Sequence, residues 1–249
     1  MHRQNILTIA GFDPSSGAGI TADIKVFEAY KQYGFGVCTA LTVQNEATFK
    51  LCHWVDADLI LEQLIIILNK HKITVVKIGI IENWELSLKV LHTLKQYNSA
   101  IKVVLDPVLK STTNHQFIEG IAGQVFTEVL KQCFVITPNY LELLSWSKNE
   151  AVEKTVQRIS HLTKVYVKGG HREDGRKGYD LLYENGTLSA EFPPTINPVF
   201  LKHGSGCVLS SALACELLKY NDFLKACEQA KYFTEKFLAS NTSLLGTHY

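Results

Sequence analysis

Apolar positions along this chain alternate between two spacings. A short apolar run at 6–10 stops at Gly11 and predicts a buried strand. Residues 12–19 are nearly all turn formers, with Pro14, Gly17 and Gly19 among them. After them Ile20, Ile24, Phe27 and Tyr30 recur at helical spacing, which predicts a helix over 20–33. Strand, glycine-rich loop and helix in that order open a βαβ unit. Gly34 and Gly36 break the chain, and 37–43 predicts a second strand ending at Gln44 and Asn45.

The alternation then continues. A helix over 56–70 leads to a strand over 74–78 closed by Gly79. One over 84–97 leads to a strand over 102–105 closed by Asp106 and Pro107. One over 117–132 leads to a strand over 134–137 closed by Pro138 and Asn139. Helices over 140–145 and 150–162 lead to a strand over 165–168 closed by Gly169 and Gly170. Segments 179–183 and 187–192 then flank Asn185 and Gly186, a hairpin signal, and helices over 206–219 and 222–241 end the chain. The expected fold is α/β: a mainly parallel central sheet with helices on both faces and an antiparallel edge at the hairpin. No linker, repeat or low-complexity tract interrupts it, so residues 1–249 are expected to form one domain.

Composition narrows the function classes. The chain has 249 residues, 46% of them hydrophobic and 20% charged, with a formal net charge of +1. That balance, without a basic cluster, argues against a nucleic-acid partner. The most apolar stretch, 59–68, contains Glu62 and Gln63 and is too short to span a bilayer. No signal-peptide pattern opens the chain, and the six cysteines show no paired C-x-x-C spacing. A cytoplasmic protein without a zinc site or disulfide framework is expected.

A parallel topology brings the strand ends to one edge, where such sheets bind ligands. The Gly204, Ser205 and Gly206 turn opens an apolar helix there, and unpaired N–H groups plus the helix dipole make it an anion cradle. Cys207 in the first turn is expected to have a lowered thiol pKa and so to offer a thiolate base. A helix cap that merely contains a core cysteine is the plainer alternative. Asp106 at a strand end suits Mg²⁺, as do Asn139 and Glu142 at a helix start, although turn and cap roles explain the same residues. Lys168 and Gly169 are placed to approach a phosphate, and Asp23 and Gln44 to hydrogen-bond a small polar heterocycle. His171, His203 and Lys202 are expected to be supporting or surface residues.

In order and spacing, these motifs resemble the ribokinase superfamily, most of all its hydroxymethylpyrimidine/phosphomethylpyrimidine kinases and the related pyridoxal kinases. The resemblance rests on residues 8–20, 39–45, 77–79, 106–108, 137–142, 168–171 and 203–207. It implies a ribokinase-like three-layer sandwich, ATP as cosubstrate and Mg²⁺ as cofactor. It also implies transfer of the γ-phosphoryl to 4-amino-5-hydroxymethyl-2-methylpyrimidine and then to its monophosphate, in thiamine biosynthesis. Gly204, Ser205 and Gly206 would form the anion hole and Cys207 would be the base. Asn139, Lys168, Gly169 and Ser205 would meet the nucleotide, and Asp106 and Glu142 would serve the metal. Gly11, Asp23, Gln44 and Val108 would line the pyrimidine pocket. Superfamily analogy adds a homodimer. The chain departs from the family pattern at Phe12, Ile80, Lys202, Ser205, 109–114 and the C-terminal end. Pyridoxal or pyridoxine kinase is the alternative activity, and a non-catalytic heterocycle or nucleotide sensor the remote one.

Overall fold

The computed structural model describes residues 3–109, 117, 123–147, 150–170 and 175–248. Nine strands form one sheet in the order β3-β2-β1-β4-β5-β6-β7-β8-β9. These are β1 (Asn5–Phe12), β2 (Tyr33–Gln44), β3 (Phe49–Trp54), β4 (Val75–Ile78), β5 (Lys102–Leu105), β6 (Val135–Ile136), β7 (Lys164–Val167), β8 (Asp180–Glu184) and β9 (Thr187–Phe192). The six strands from β2 across to β7 are parallel, and β3, β8 and β9 are antiparallel additions. The helices are α1 (Gly19–Ala29), α2 (Ala57–Lys70), α3 (Trp84–Tyr97), α4 (Gly123–Gln132), α5 (Tyr140–Ser147), α6 (Val152–Ser160), α7 (Ser205–Lys219) and α8 (Phe223–Ala239).

Strand residues are buried on both faces, and alternation divides them between two cores. Leu7, Ile9, Val76, Ile78, Val103 and Leu105 pack with α2 to α6. Ile6, Val75, Val104 and Val135 pack with α1, α7 and α8 on the other face. This parity matters for chemistry. Thr8, Lys77, Asp106 and Thr137 share the side of Ile6, Val75, Val104 and Val135, and so face α1 and α7.

Helix starts follow their capping residues. Asp56 accepts the Asp58 N–H at 2.9 Å and Asn83 accepts the Leu86 N–H at 2.8 Å, which fixes the entry to α2 and α3. The two helices begin within one residue of where the sequence places them.

The structure adds to one expectation and narrows another. The antiparallel edge expected at the hairpin is present in β8 and β9, and β3, which the expectations from sequence do not include, makes the opposite edge antiparallel too. Its sequence, FKLCHW, has no buried position and lacks a continuous apolar run, so no periodicity announces it. The turn before it is set locally, with Asn45 Oδ1 accepting the Ala47 and Thr48 N–H groups at 3.0 and 2.7 Å. Within the expected helix over 117–132, the described portion is helical from Gly123; 118–122 lie outside the described residues.

Candidate active site

A cavity of about 270 Å³ opens at the carboxyl ends of the parallel strands. Gly11, Thr42, Gln44, Ile80, Val108 and Phe117 line one end. Asp106, Asn139, Glu142, Lys168 and the Gly204 to Cys207 turn line the middle. Gly178, Asp180, Pro194, Ile196, Lys231 and Glu235 line the far end. An aromatic group beside the first end joins separate elements: Phe117 lies edge-on to Phe49 and Trp54, with ring centroids 5.5 and 6.2 Å away.

The turn before α7 is held by two glycines in contact. Gly204 has φ of 73°, and a Cβ on it would lie 1.9 Å from the Gly17 carbonyl oxygen. The loop that supplies Gly17 is organised by Asp13, whose carboxylate accepts the Ser15 and Ala18 N–H groups, each at 2.9 Å. His203 Nε2 lies 2.8 Å from Asp13 Oδ2 and ties the two loops together. Burial pushes the Asp13 carboxyl up, but the hydrogen bonds from His203, Ser15 and Ala18 outweigh it and leave it lowered. The first-turn N–H groups of Ser205, Gly206 and Cys207 have no acceptor inside their own helix, and they open the 15-residue helix α7. An anion in the cavity meets those donors and the positive end of the helix dipole.

Cys207 faces the cavity, and the Gly19 N–H hydrogen-bonds to it. The expected lowering of its pKa is corrected: burial raises the thiol, and the Lys77 ammonium and Gly19 N–H only partly offset this. The helix start alone does not outweigh desolvation.

Asp106 is buried and accepts from Lys168 Nζ at 2.6 Å and Thr137 Oγ1 at 3.2 Å. Burial pulls the Lys168 ammonium down, yet Asp106 and Glu142 raise it above its usual range. Asn139 and Glu142 cap α5 reciprocally: Glu142 Oε2 accepts the Asn139 N–H at 2.7 Å, and Asn139 Oδ1 accepts the Glu142 N–H at 2.9 Å. Burial pushes Glu142 up to about 7, against the opposing pull of Lys168.

Mg²⁺ usually keeps several waters and takes one or two carboxylates plus phosphate oxygens. No group of three or more His, Cys, Asp or Glu among the described residues forms a cation cage. Asp106 and Glu142 on one cavity wall, both already hydrogen-bonded, therefore suit a hydrated ion held through its waters.

The raised Glu142 pKa has a stability consequence. A carboxyl raised above its unfolded value near 4.5 contributes stability below that value, and the contribution is lost as pH rises to about 7. Without Mg²⁺, wild type is expected to lose on the order of 2 kcal/mol relative to Glu142→Gln between pH 5 and 8. Paired denaturant titrations check this, and a constant difference across that range contradicts it.

Two further site expectations are corrected. Asp23 does not reach the cavity wall: it is 0% exposed and accepts from Lys77 Nζ at 2.8 and 3.0 Å, Ser211 Oγ at 2.7 Å and Thr8 Oγ1 at 2.5 Å. Gly169 has its N–H committed to Asp180 Oδ1 at 2.7 Å, and a Cβ there would lie 1.8 Å from the Tyr179 carbonyl oxygen. Gly169 lets β8 approach β7 and has no N–H left for a phosphate. Gly11, Gln44, Val108, Asn139, Lys168, Gly204, Ser205, Gly206, Cys207, Asp106 and Glu142 all line the cavity. Lys202 is buried and holds the Asn241 and Ser243 carbonyl groups, while His171 lies outside the described residues.

The buried Lys77–Asp23 pair gives a second prediction. Lys77→Met strands a carboxylate in the core and is expected to cost about 3–5 kcal/mol, most of which Asp23→Asn in the same chain restores. Thermal unfolding of the two variants decides it, and equal melting temperatures would refute the stranded-charge account.

Sequence reasoning missed the far end of the cavity. Lys231 Nζ meets the Gly178 carbonyl oxygen at 2.7 Å and Asp180 Oδ2 and Glu235 Oε1 at 3.2 Å. Glu235 Oε2 in turn accepts the Thr195 and Ile196 N–H groups at 2.9 and 3.1 Å. In the sequence Lys231 and Glu235 look like a solvated i,i+4 pair on a helix face. Asp13 was also passed over, although Asp followed by Pro and two serines signals a structured turn.

Comparison with known proteins agrees with this geometry. Residues 13–249 match the family model described as phosphomethylpyrimidine kinase. The hydroxymethylpyrimidine/phosphomethylpyrimidine kinase of Aquifex aeolicus is 35% identical, over 98% of this chain and 97% of its own. The Escherichia coli enzyme of the same name is 31% identical over 98% and 94%. Among solved structures, the phosphomethylpyrimidine kinase of Clostridium difficile superposes with a TM-score of 0.75 at 27% identity, covering 93% of this chain and 98% of that one. The ADP complex of Bacillus subtilis pyridoxal kinase superposes with a TM-score of 0.83 at 27% identity, covering 98% and 94%. The fold is thus the ribokinase-like one expected from the motifs, and the chain belongs to the phosphomethylpyrimidine kinase family.

Proposed function

We propose that this protein is an ATP-dependent kinase that phosphorylates 4-amino-5-hydroxymethyl-2-methylpyrimidine and then its monophosphate. The observation that carries this is the placement of Cys207 and the N-terminus of α7 in one cavity, beside Asp106, Glu142 and Lys168 and next to a largely apolar end. Gly11, Gln44, Val108, Ile80 and Phe117 offer a largely apolar lining with one amide to orient a ring. A hydroxymethyl group on that ring would point toward Cys207. As its oxygen bonds to the γ-phosphorus, its proton passes to the Cys207 thiolate and the bridging P–O bond of ATP breaks. The first-turn N–H groups of α7 and the Lys168 ammonium meet the charge on the transferred group. Asn139 and Ser205 are assigned to the nucleotide. Asp106 and Glu142 would hold Mg²⁺ through its waters, where the ion neutralises phosphate charge.

A single domain, a homodimer and a cytoplasmic location accompany this proposal, the dimer by superfamily analogy. In support, one sheet runs through the described residues, and no helix among them is long and apolar enough to cross a membrane.

A second reading, pyridoxal kinase, is favoured by the similarity to the Bacillus subtilis enzyme. Both substrates are flat methylated nitrogen heterocycles with a hydroxymethyl group. Coupled ADP release with the hydroxymethylpyrimidine, its monophosphate and pyridoxal tests the choice. The two pyrimidines are expected to give the higher kcat/KM, and turnover of pyridoxal alone would reverse the assignment.

A further inference from the structure

Lys77 is a fully buried lysine in the middle of the sheet, and its side chain reaches the cavity wall. Neither phosphate binding nor metal binding explains it, because its ammonium points beneath Gly79 and is gripped by Asp23. A Cβ on Gly79 would sit 3.0 Å from Lys77 Nζ, so the absence of a side chain there leaves the ammonium its place. Both Asp23 oxygens accept from Lys77 Nζ, at 3.0 and 2.8 Å. Ser211 Oγ also donates to Asp23 Oδ1, at 2.7 Å. Ser211 stands four residues after Cys207 and so lies on the same face of α7. Strand parity points Lys77 at that face as well.

We propose that Lys77 is a positioning residue whose buried ammonium supplies the counter-charge to the Cys207 thiolate, with Asp23 fixing where that charge stands. This rests on Cys207 being the proton acceptor of the proposed reaction. Desolvation holds the thiol above its usual range even with Lys77 in place, and without that ammonium the thiolate would be scarcer still. The ionisable groups acting on Cys207 come from four elements. Lys77 on β4 favours the thiolate, while Asp23 on α1 and Asp106 after β5 oppose it. Lys168 after β7 also senses Cys207, with its ammonium seated on Asp106. Lys77 thus stands off the Asp106 and Glu142 wall, paired with Asp23 instead. Asp23 prevents the ammonium from losing its proton in the core and keeps it from swinging into the phosphate region.

The test follows the thiol itself. Iodoacetamide alkylation of the Cys207-containing peptide is measured by mass spectrometry across pH in wild type, Lys77→Met and the Asp23→Asn, Lys77→Met double variant, in the absence of nucleotide. Lys77→Met is expected to slow alkylation at pH 8 about tenfold and to move the profile to higher pH by about one unit. The double variant removes the stranded carboxylate and so retains the fold if the single variant does not. It is expected to shift in the same direction by about threefold, because the pull of Lys77 on the thiol exceeds the push of Asp23. A merely structural Lys77 would alter melting and leave the pH profile alone. Wild-type alkylation profiles in folded variants, with an inactive Cys207→Ala, overturn the role of Lys77 and leave the base assignment standing. Full turnover by Cys207→Ala overturns the base assignment and this inference with it.

Discussion

Cys207→Ala is expected to lower kcat for the hydroxymethylpyrimidine by about 10²- to 10⁴-fold, the usual worth of a positioned proton acceptor. KM should change little, because the ring is held by groups at the other end of the slot and the phosphates by Lys168 and the start of α7. The residual rate comes from alignment and charge stabilisation, which do most of the work in phosphoryl transfer. Removing the sulfur from a side chain that faces the cavity leaves the packing of α7 nearly intact, so melting should move little. Steady-state kinetics beside a melting curve separate the effects. A variant that melts like wild type and turns over at an undiminished rate would remove Cys207 from the chemistry and leave the turn as an anion cradle alone.

Gly204→Ala is the second large effect, and its cause is steric. The residue sits at φ of 73°, which L side chains rarely adopt, and the added methyl would lie 1.9 Å from a carbonyl oxygen of the facing loop. Gly17 cannot retreat freely: a Cβ on it would lie 2.4 Å from His203, which is itself fastened to Asp13. The strained backbone alone costs about 1–2 kcal/mol, and the clash adds to it by forcing the two loops apart. Because the first N–H groups of α7 move with the turn, kcat/KM is expected to fall at least about 10²-fold, comparable to losing an oxyanion donor. Retention of wild-type kcat/KM and melting temperature would show that the loops adjust without consequence.

The sequence makes the parallel half of the sheet legible for a physical reason. Strands buried on both faces are nearly continuous apolar runs, broken by a single lysine at 75–78 and at 102–105, and each stops at a glycine or an Asp-Pro. The exposed edge strand β3 carries no such signal and was missed. Within the site, residues on glycine turns and strand ends could be found because their types are unusual there. Burial inverted three expectations. Asp23 looked like a helix residue near a ligand and is a core ion-pair partner. Gly169 looked like a phosphate loop and is a packing contact with β8. The Cys207 thiol was expected to be lowered by its helix start, and burial raises it. Lys77 stands out as an unusual residue at a strand end, but the sequence shows neither its partner nor its depth. Charge pairs formed between residues 54 apart, like Lys77 and Asp23, depend on which strand lies over which helix. Periodicity does not carry that information.

The central claim is most directly tested by following ATP, Mg²⁺ and the hydroxymethylpyrimidine by phosphorus NMR after adding the protein. The account predicts loss of the γ-phosphate signal of ATP and growth of a phosphomonoester, followed by the paired resonances of a pyrophosphate ester as the monophosphate is used in turn. ATP that persists unchanged with the pyrimidine, while pyridoxal is phosphorylated or no acceptor is, would contradict it.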